Sequence, residues 1–169
     1  TPNFEIHDAY FQQLDNVQYL HVDADFNFSE PVLEALHNGI KMTIVLDVDV
    51  YRKRAYLWDE KITRRDQRYE LEYFSLSEQY VVSSQHTNEL YSAMTLQSAI
   101  YLLRDIKPLA VIDNALLSEN ESYYATTRVR LSLNRLPVPL QLNAFISTQW
   151  WLMSDWYSRP ILRAETEAQ

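Results

Sequence analysis

Two Asp-x-Asp steps carry the clearest chemical potential in this sequence. Asp23 and Asp25 alternate with Val22, Ala24 and Phe26, and Asp47 and Asp49 alternate with Leu46, Val48 and Val50. Alternation at period two puts each pair on the polar face of a strand. If those strands are neighbours, four carboxylates share one surface, and like charges that close need a cation, basic neighbours or raised pKa values. Hard oxygen ligands suit calcium, so one expectation is a divalent-cation site at Asp23, Asp25, Asp47 and Asp49. The competing reading is a sheet face balanced by basic side chains. Arg128 and Arg130 alternate with Val129 and Leu131, which aims both guanidinium groups away from the core. They are expected near Asp23, Asp25, Asp47, Asp49, Glu70 or Glu72, in a structural role.

Catalytic constellations are hard to find. The chain has one glycine, Gly39, and no cysteine. That excludes Gly-rich phosphate loops, thiol catalysis, disulfides and Cys-based zinc sites. A G-x-S-x-G elbow is excluded for the same reason. His7, His21, His37 and His86 include no pair at metal-ligand spacing, and His21 is read with Asp23 as a local His–carboxylate pair. Acid–base carboxylate pairs leave no motif. The expectation is a protein that is not an enzyme and needs no cofactor.

Two further patterns suggest binding. Residues 1–50 hold nine acidic residues and one basic one, Lys41, so the whole net charge of −8 sits there. Next comes a basic stretch with Arg52, Lys53, Arg54, Lys61, Arg64, Arg65 and Arg68 against Asp59, Glu60 and Asp66. Such blocks either pack together and cancel or form a bipolar surface that steers a charged partner. The second pattern is the cluster Trp150, Trp151, Trp156 and Tyr157. It reads as core, as a sugar or lipid platform, or as a protein-binding hot spot. Arg52, Arg54, Arg64, Arg65, Trp150 and Trp156 are therefore the candidate protein-binding residues. A sequence pI near 4.9 argues against nucleic acid as a partner.

The elements that must position these residues are mostly strands. The 169 residues, 47% of them apolar, suit one globular domain over 1–162 with a frayed tail over 163–169. Alternation predicts strands over Tyr19–Phe28, Ile40–Tyr51, Arg68–Leu76, Gln79–Ser83 and Tyr123–Leu133, with an extended hairpin connection around Trp58. Ser29 is placed to cap a short helix that Gly39 ends. Helical spacing runs through Leu96, Ala99, Ile100, Leu103 and Ile106, and Pro108 stops it. Strands with one wet face each predict a mainly β fold: an antiparallel β-sandwich with one or two short helices. The alternative is an α+β layer with the Leu96 helix packed on an antiparallel sheet. The longest uncharged run, Leu136 to Ser154, includes Pro137, Pro139, Gln141 and Asn143 and is too polar for a membrane span. The chain begins Thr1-Pro2-Asn3, which fits a processed start behind a removed signal peptide.

The segments EALHNGIKMTIVLDVDVYRKR, Trp58-Asp59-Glu60-Lys61, YELEYFSLSEQYVV, RVRLSLNRLPVPLQLNAF and WWLMSDW together resemble an uncharacterised family of exported proteobacterial proteins, a domain of unknown function. The resemblance runs from about Tyr19 to Tyr157. It rests on Ala35-Leu36, Asn38-Gly39, Trp58, Tyr73, Leu76, Tyr80, Arg128, Arg130, Leu131, Leu136-Pro137, Pro139, Gln141, Trp150 and Ser154-Asp155-Trp156. It departs where Ser158-Arg159-Pro160 follows in place of a further tryptophan. The resemblance implies a signal peptide, a periplasmic location and an encoding gene beside a nitrogen-regulation-type sensor kinase. The expected function is a non-catalytic periplasmic interaction module that engages an envelope protein such as a sensor-kinase ectodomain. The alternative is a carrier of a lipid or other apolar ligand within the sandwich.

Overall fold

The structure is a computed structural model and describes residues 2–104 and 108–163. The chain opens with a hairpin of β1 (Phe4–Leu14) and β2 (Val17–Phe26). Asp15 and Asn16 join the strands at φ 48° and 65°. Positive φ at both central residues matches the turn to the twist of the strands, and Asp and Asn tolerate it better than most residues. Leu20, Ala24 and Phe26 of β2 point inward, as their alternation requires.

Helix α1 (Glu30–His37) follows. Ser29 stands at its N-cap position but does not cap it with its side chain, contrary to expectation. The hydroxyl instead donates to the Gln149 carbonyl at 2.6 Å, tying the helix start to a distant loop. Gly39 sits just past the helix at φ 88°, where a residue without Cβ is strained least.

Then come β3 (Met42–Arg52), β4 (Glu60–Phe74), β5 (Gln79–Ser84), β6 (Leu90–Ala93), helix α2 (Leu96–Arg104) and β7 (Leu109–Asp113). The chain continues through β8 (Tyr123–Leu131), helix α3 (Val138–Ile146) and β9 (Tyr157–Ile161). The strands form a three-stranded sheet, β1-β2-β7, and a six-stranded sheet, β6-β5-β4-β3-β8-β9. Every pairing is antiparallel. The fold is thus mainly β; the described residues form two antiparallel sheets and three short α-helices, where one or two helices were expected. Phe4, Leu20 and Phe26 from the small sheet share one core with Ile44, Leu46, Val48 and Val129 from the large one. Helix α2 contacts β2, β5 and β6. Ile106, expected in this helix, and residues 164–169 of the expected tail lie outside the described residues.

Two strand expectations need correction. Strand β4 starts eight residues earlier than its alternation suggests, because the basic stretch after Asp59 is itself strand. Strand β3 was expected to have one wet face, yet every residue from Met42 to Val50 is buried. It lies between β4 and β8, and side chains from both neighbours fold over its outer face. Among the described residues no helix is long and apolar enough to cross a membrane.

Candidate functional site

The two Asp pairs do not meet. Strand β2 belongs to the small sheet and β3 to the large one, and both pairs point away from the shared core. They therefore lie on opposite outer faces of the sandwich. The four-carboxylate cation site at Asp23, Asp25, Asp47 and Asp49 is overturned by this topology. Among the described residues no group of three or more His, Cys, Asp and Glu side chains could hold a metal ion.

Each pair has basic partners instead. Asp47, 4% exposed, receives Arg130 Nε at 2.7 Å and Arg128 Nη2 at 3.4 Å. Asp49, also buried, receives Arg64 Nε at 2.7 Å and lies 3.5 Å from Lys61 Nζ. Arg128 and Arg130 thus have the structural role that their alternation suggested. On the other face, Arg104 Nη2 donates to Asp23 at 3.0 Å, and His7 Nε2 lies 2.5 Å from Asp25 Oδ2. The carboxylate raises the His7 pKa above its ordinary value and the imidazole lowers that of Asp25, through their shared hydrogen bond first.

The four arginines proposed for binding all sit on the arm formed by the end of β3, the connecting loop and the start of β4. Three of them are engaged. Arg52 pairs with Glu60, Arg64 with Asp49, and Arg65 Nε donates to the Val111 carbonyl at 3.3 Å. Arg54 is exposed, and its backbone N–H donates to Asp59 at 3.2 Å. The second Asp59 oxygen accepts from the Tyr124 hydroxyl at 2.5 Å. This bond pushes Tyr124 up to about 12 and holds Asp59 below the usual carboxylate range. The base of the loop is therefore pinned to β8, and Tyr56, Leu57 and Trp58 project from it, Tyr56 at 99% and Trp58 at 84% exposure.

The tryptophan cluster divides. Trp150 is core, 5% exposed, so its proposed place in a binding surface is not available in this conformation. Trp156 remains exposed, with the Arg128 guanidinium 4.3 Å above its ring. Trp151 Nε1 donates to the Ala144 carbonyl at 3.1 Å, satisfying one of the free carbonyls at the end of α3.

Sequence reasoning missed helix α3 itself. Pro137 and Pro139 suggest a loop, but both sit where a helix begins and proline needs no N–H partner. Ala144 is buried and Leu140 packs on the core, while Val138, Leu142, Phe145 and Ile146 face solvent. The helix carries no charge. Spacing of i, i+4, i+7 and i+8 inside an uncharged run was the available signal. The tip Tyr56-Leu57-Trp58 was missed as well, although three large apolar residues inside a charged loop are unusual.

The apolar space between the sheets, lined by Leu20, Phe26, Leu46, Tyr69, Leu103 and Val129 among others, amounts to about 30 Å³. Among the described residues the buried Tyr69 hydroxyl has no hydrogen-bond partner, and burial raises its pKa.

These surfaces define a β-sandwich protein whose exposed apolar side chains, among the described residues, include those of α3 and of the arm tip. The chain belongs to the family described as a domain of unknown function (DUF4390), which matches residues 1–160. No curated protein and no solved structure matches it.

Proposed function

We propose that this chain is a non-catalytic interaction module of the periplasm that engages an envelope protein, such as the ectodomain of a sensor kinase, through the outer face of α3. One observation carries the reading. The helix is apolar on both sides, with Leu140 and Ala144 turned to the core and Val138, Leu142, Phe145 and Ile146 turned out. Contiguous exposed apolar patches mark interaction sites. The outward spacing is the one with which a helix fills a partner's groove. Leu142→Glu with Ile146→Glu tests it, since both positions are exposed and the fold should survive. Pull-down from an envelope extract should lose the partner that wild type recovers, at unchanged circular dichroism. Equal recovery would remove the α3 face from consideration.

The second reading is a carrier of an apolar ligand, supported by the aromatic and aliphatic load. A ligand pocket needs roughly 300 Å³ or more, ten times the space between these sheets. Carriage between the sheets would require them to part. Native mass spectrometry of freshly purified protein would show a copurifying ligand, and its absence favours the interaction module.

A further inference from the structure

We propose that the β3–β4 arm is an anchor for an anionic phospholipid surface, with Tyr56, Leu57 and Trp58 entering the interface and Lys53 and Arg54 resting on the headgroups. Three observations point there. The tip is built of the side-chain types that favour the membrane–water boundary, where an aromatic ring lies in the apolar layer and its polar end stays wet. The tip is also collared by charge of the right sign. Arg52, Lys53, Arg54 and Lys61 flank it against Asp59 and Glu60. Lys53 and Arg54 are both exposed and stand nearest the tip. Basic residues at this position are drawn to anionic headgroups.

The third observation is the pinned base. Asp59 bridges the Arg54 N–H and the Tyr124 hydroxyl, and the Lys53 N–H donates to the Ser122 carbonyl at 2.9 Å. The loop is thereby held in one presentation before contact, so little ordering cost remains at binding. The tip is three consecutive side chains projecting from a narrow arm, which a bilayer accepts without a matching pocket. The molecule as a whole is acidic, with a net charge of −8 despite the basic arm. An anionic membrane therefore repels other approaches and admits the arm first. This surface is separate from α3, and a chain held by its arm leaves that helix free for a protein partner.

Co-sedimentation of the whole chain with vesicles of phosphatidylglycerol and phosphatidylethanolamine tests the proposal, with phosphatidylcholine vesicles as control. Wild type should bind the anionic vesicles, release as salt is raised, and bind phosphatidylcholine weakly. Lys53→Glu with Arg54→Glu should lower the partition by roughly ten- to thirtyfold or more. Leu57→Ser with Trp58→Ser should abolish it, while Leu142→Glu with Ile146→Glu should leave it unchanged, so that the two surfaces succeed or fail separately. The Trp58 share of the fluorescence, obtained by difference from Trp58→Phe, should shift to the blue on binding. No binding by wild type, or equal binding by the tip variant, would overturn the proposal. So would a tip variant that keeps vesicle binding but loses a protein partner, since the arm would then be a protein-docking element.

Discussion

Arg130 Nε donates to Asp47 Oδ2 at 2.7 Å across the β3–β8 pair, although the residue directly opposite Asp47 is Arg128. The diagonal partner takes the shorter bond. Arg128 reaches the same oxygen at 3.4 Å while its guanidinium lies over Trp156. Arg130→Ala should therefore destabilise the fold by about 2 kcal/mol, the worth of a hydrogen bond to a charged group. Arg128→Ala should cost about 1 kcal/mol, chiefly the ring contact. Removing both leaves a buried carboxylate unpaired and should cost about 4 kcal/mol, more than the sum. Urea unfolding of the three variants measures this, and equal losses for the two single variants would contradict the assignment.

The tryptophans should separate sharply in stability. Trp150 is core, and Trp150→Ala should cost about 3–5 kcal/mol through the cavity it leaves. Trp58 touches little, and Trp58→Ala should stay within about 0.5 kcal/mol of wild type. Thermal unfolding of the pair is sufficient, and a tolerant Trp150→Ala would deny that side chain its place in the core.

The His7–Asp25 pair gives a pH dependence whose sign follows from the two shifts. The His7 pKa is raised from 6.5, so its contribution is fully present below 6.5 and fades as pH climbs through the raised value. The Asp25 pKa is lowered from 3.8, so its contribution is present above 3.8 and is lost as pH falls through the lowered value. The melting-temperature difference between wild type and His7→Asn should thus be largest between pH 3.8 and 6.5. Asp25→Asn should return the His7 imidazole toward 6.5 in an NMR titration. Both groups are exposed, so high salt should shrink the effect.

Tyr124 and Asp59 should titrate as partners. Tyr124→Phe removes the 2.5 Å bond, and the Asp59 carboxyl should move up toward 3.8 by NMR. It should stop short of that value while the Arg54 N–H still donates to it. An unchanged Asp59 would mean that the base of the arm is held by other contacts.

What could be read from the sequence was alternation inside single strands. Strand β2, most of β3 and β8 follow from Leu20-Ala24-Phe26, Ile44-Leu46-Val48 and Val129-Leu131, and Gly39 marks the end of α1. Strand β1 was hidden because a register shift between Ile6 and Asp8 breaks the period. Strand β9 was hidden by Pro160, which an edge strand tolerates because its free side needs no N–H donor. Pairing partners were not legible at all. Asp25 and Asp47 lie on consecutive strands of the chain yet in different sheets, and no local pattern distinguishes that from a hairpin. Nor does an Asp between valines reveal whether water or arginine will cover it. The basic arm was visible as composition. That Arg52 and Arg64 would be taken up by Glu60 and Asp49 required the β3–β4 register.

The small sheet is completed late. Val17 of β2 pairs with Asp113 of β7, with α1, the four strands β3 to β6 and α2 between them in the chain. Residues from both strands enter the same core. Closing so long a loop before its contacts can reward it slows folding, as in other sandwiches rich in distant pairings. A nascent chain that stops short of β7 leaves the β2 edge of the β1–β2 hairpin unpaired and the core without Leu109, Val111 and Ile112. The small sheet therefore cannot close until the chain is available through Asp113 of its 169 residues, and the core it shares with the large sheet is sealed no earlier than that.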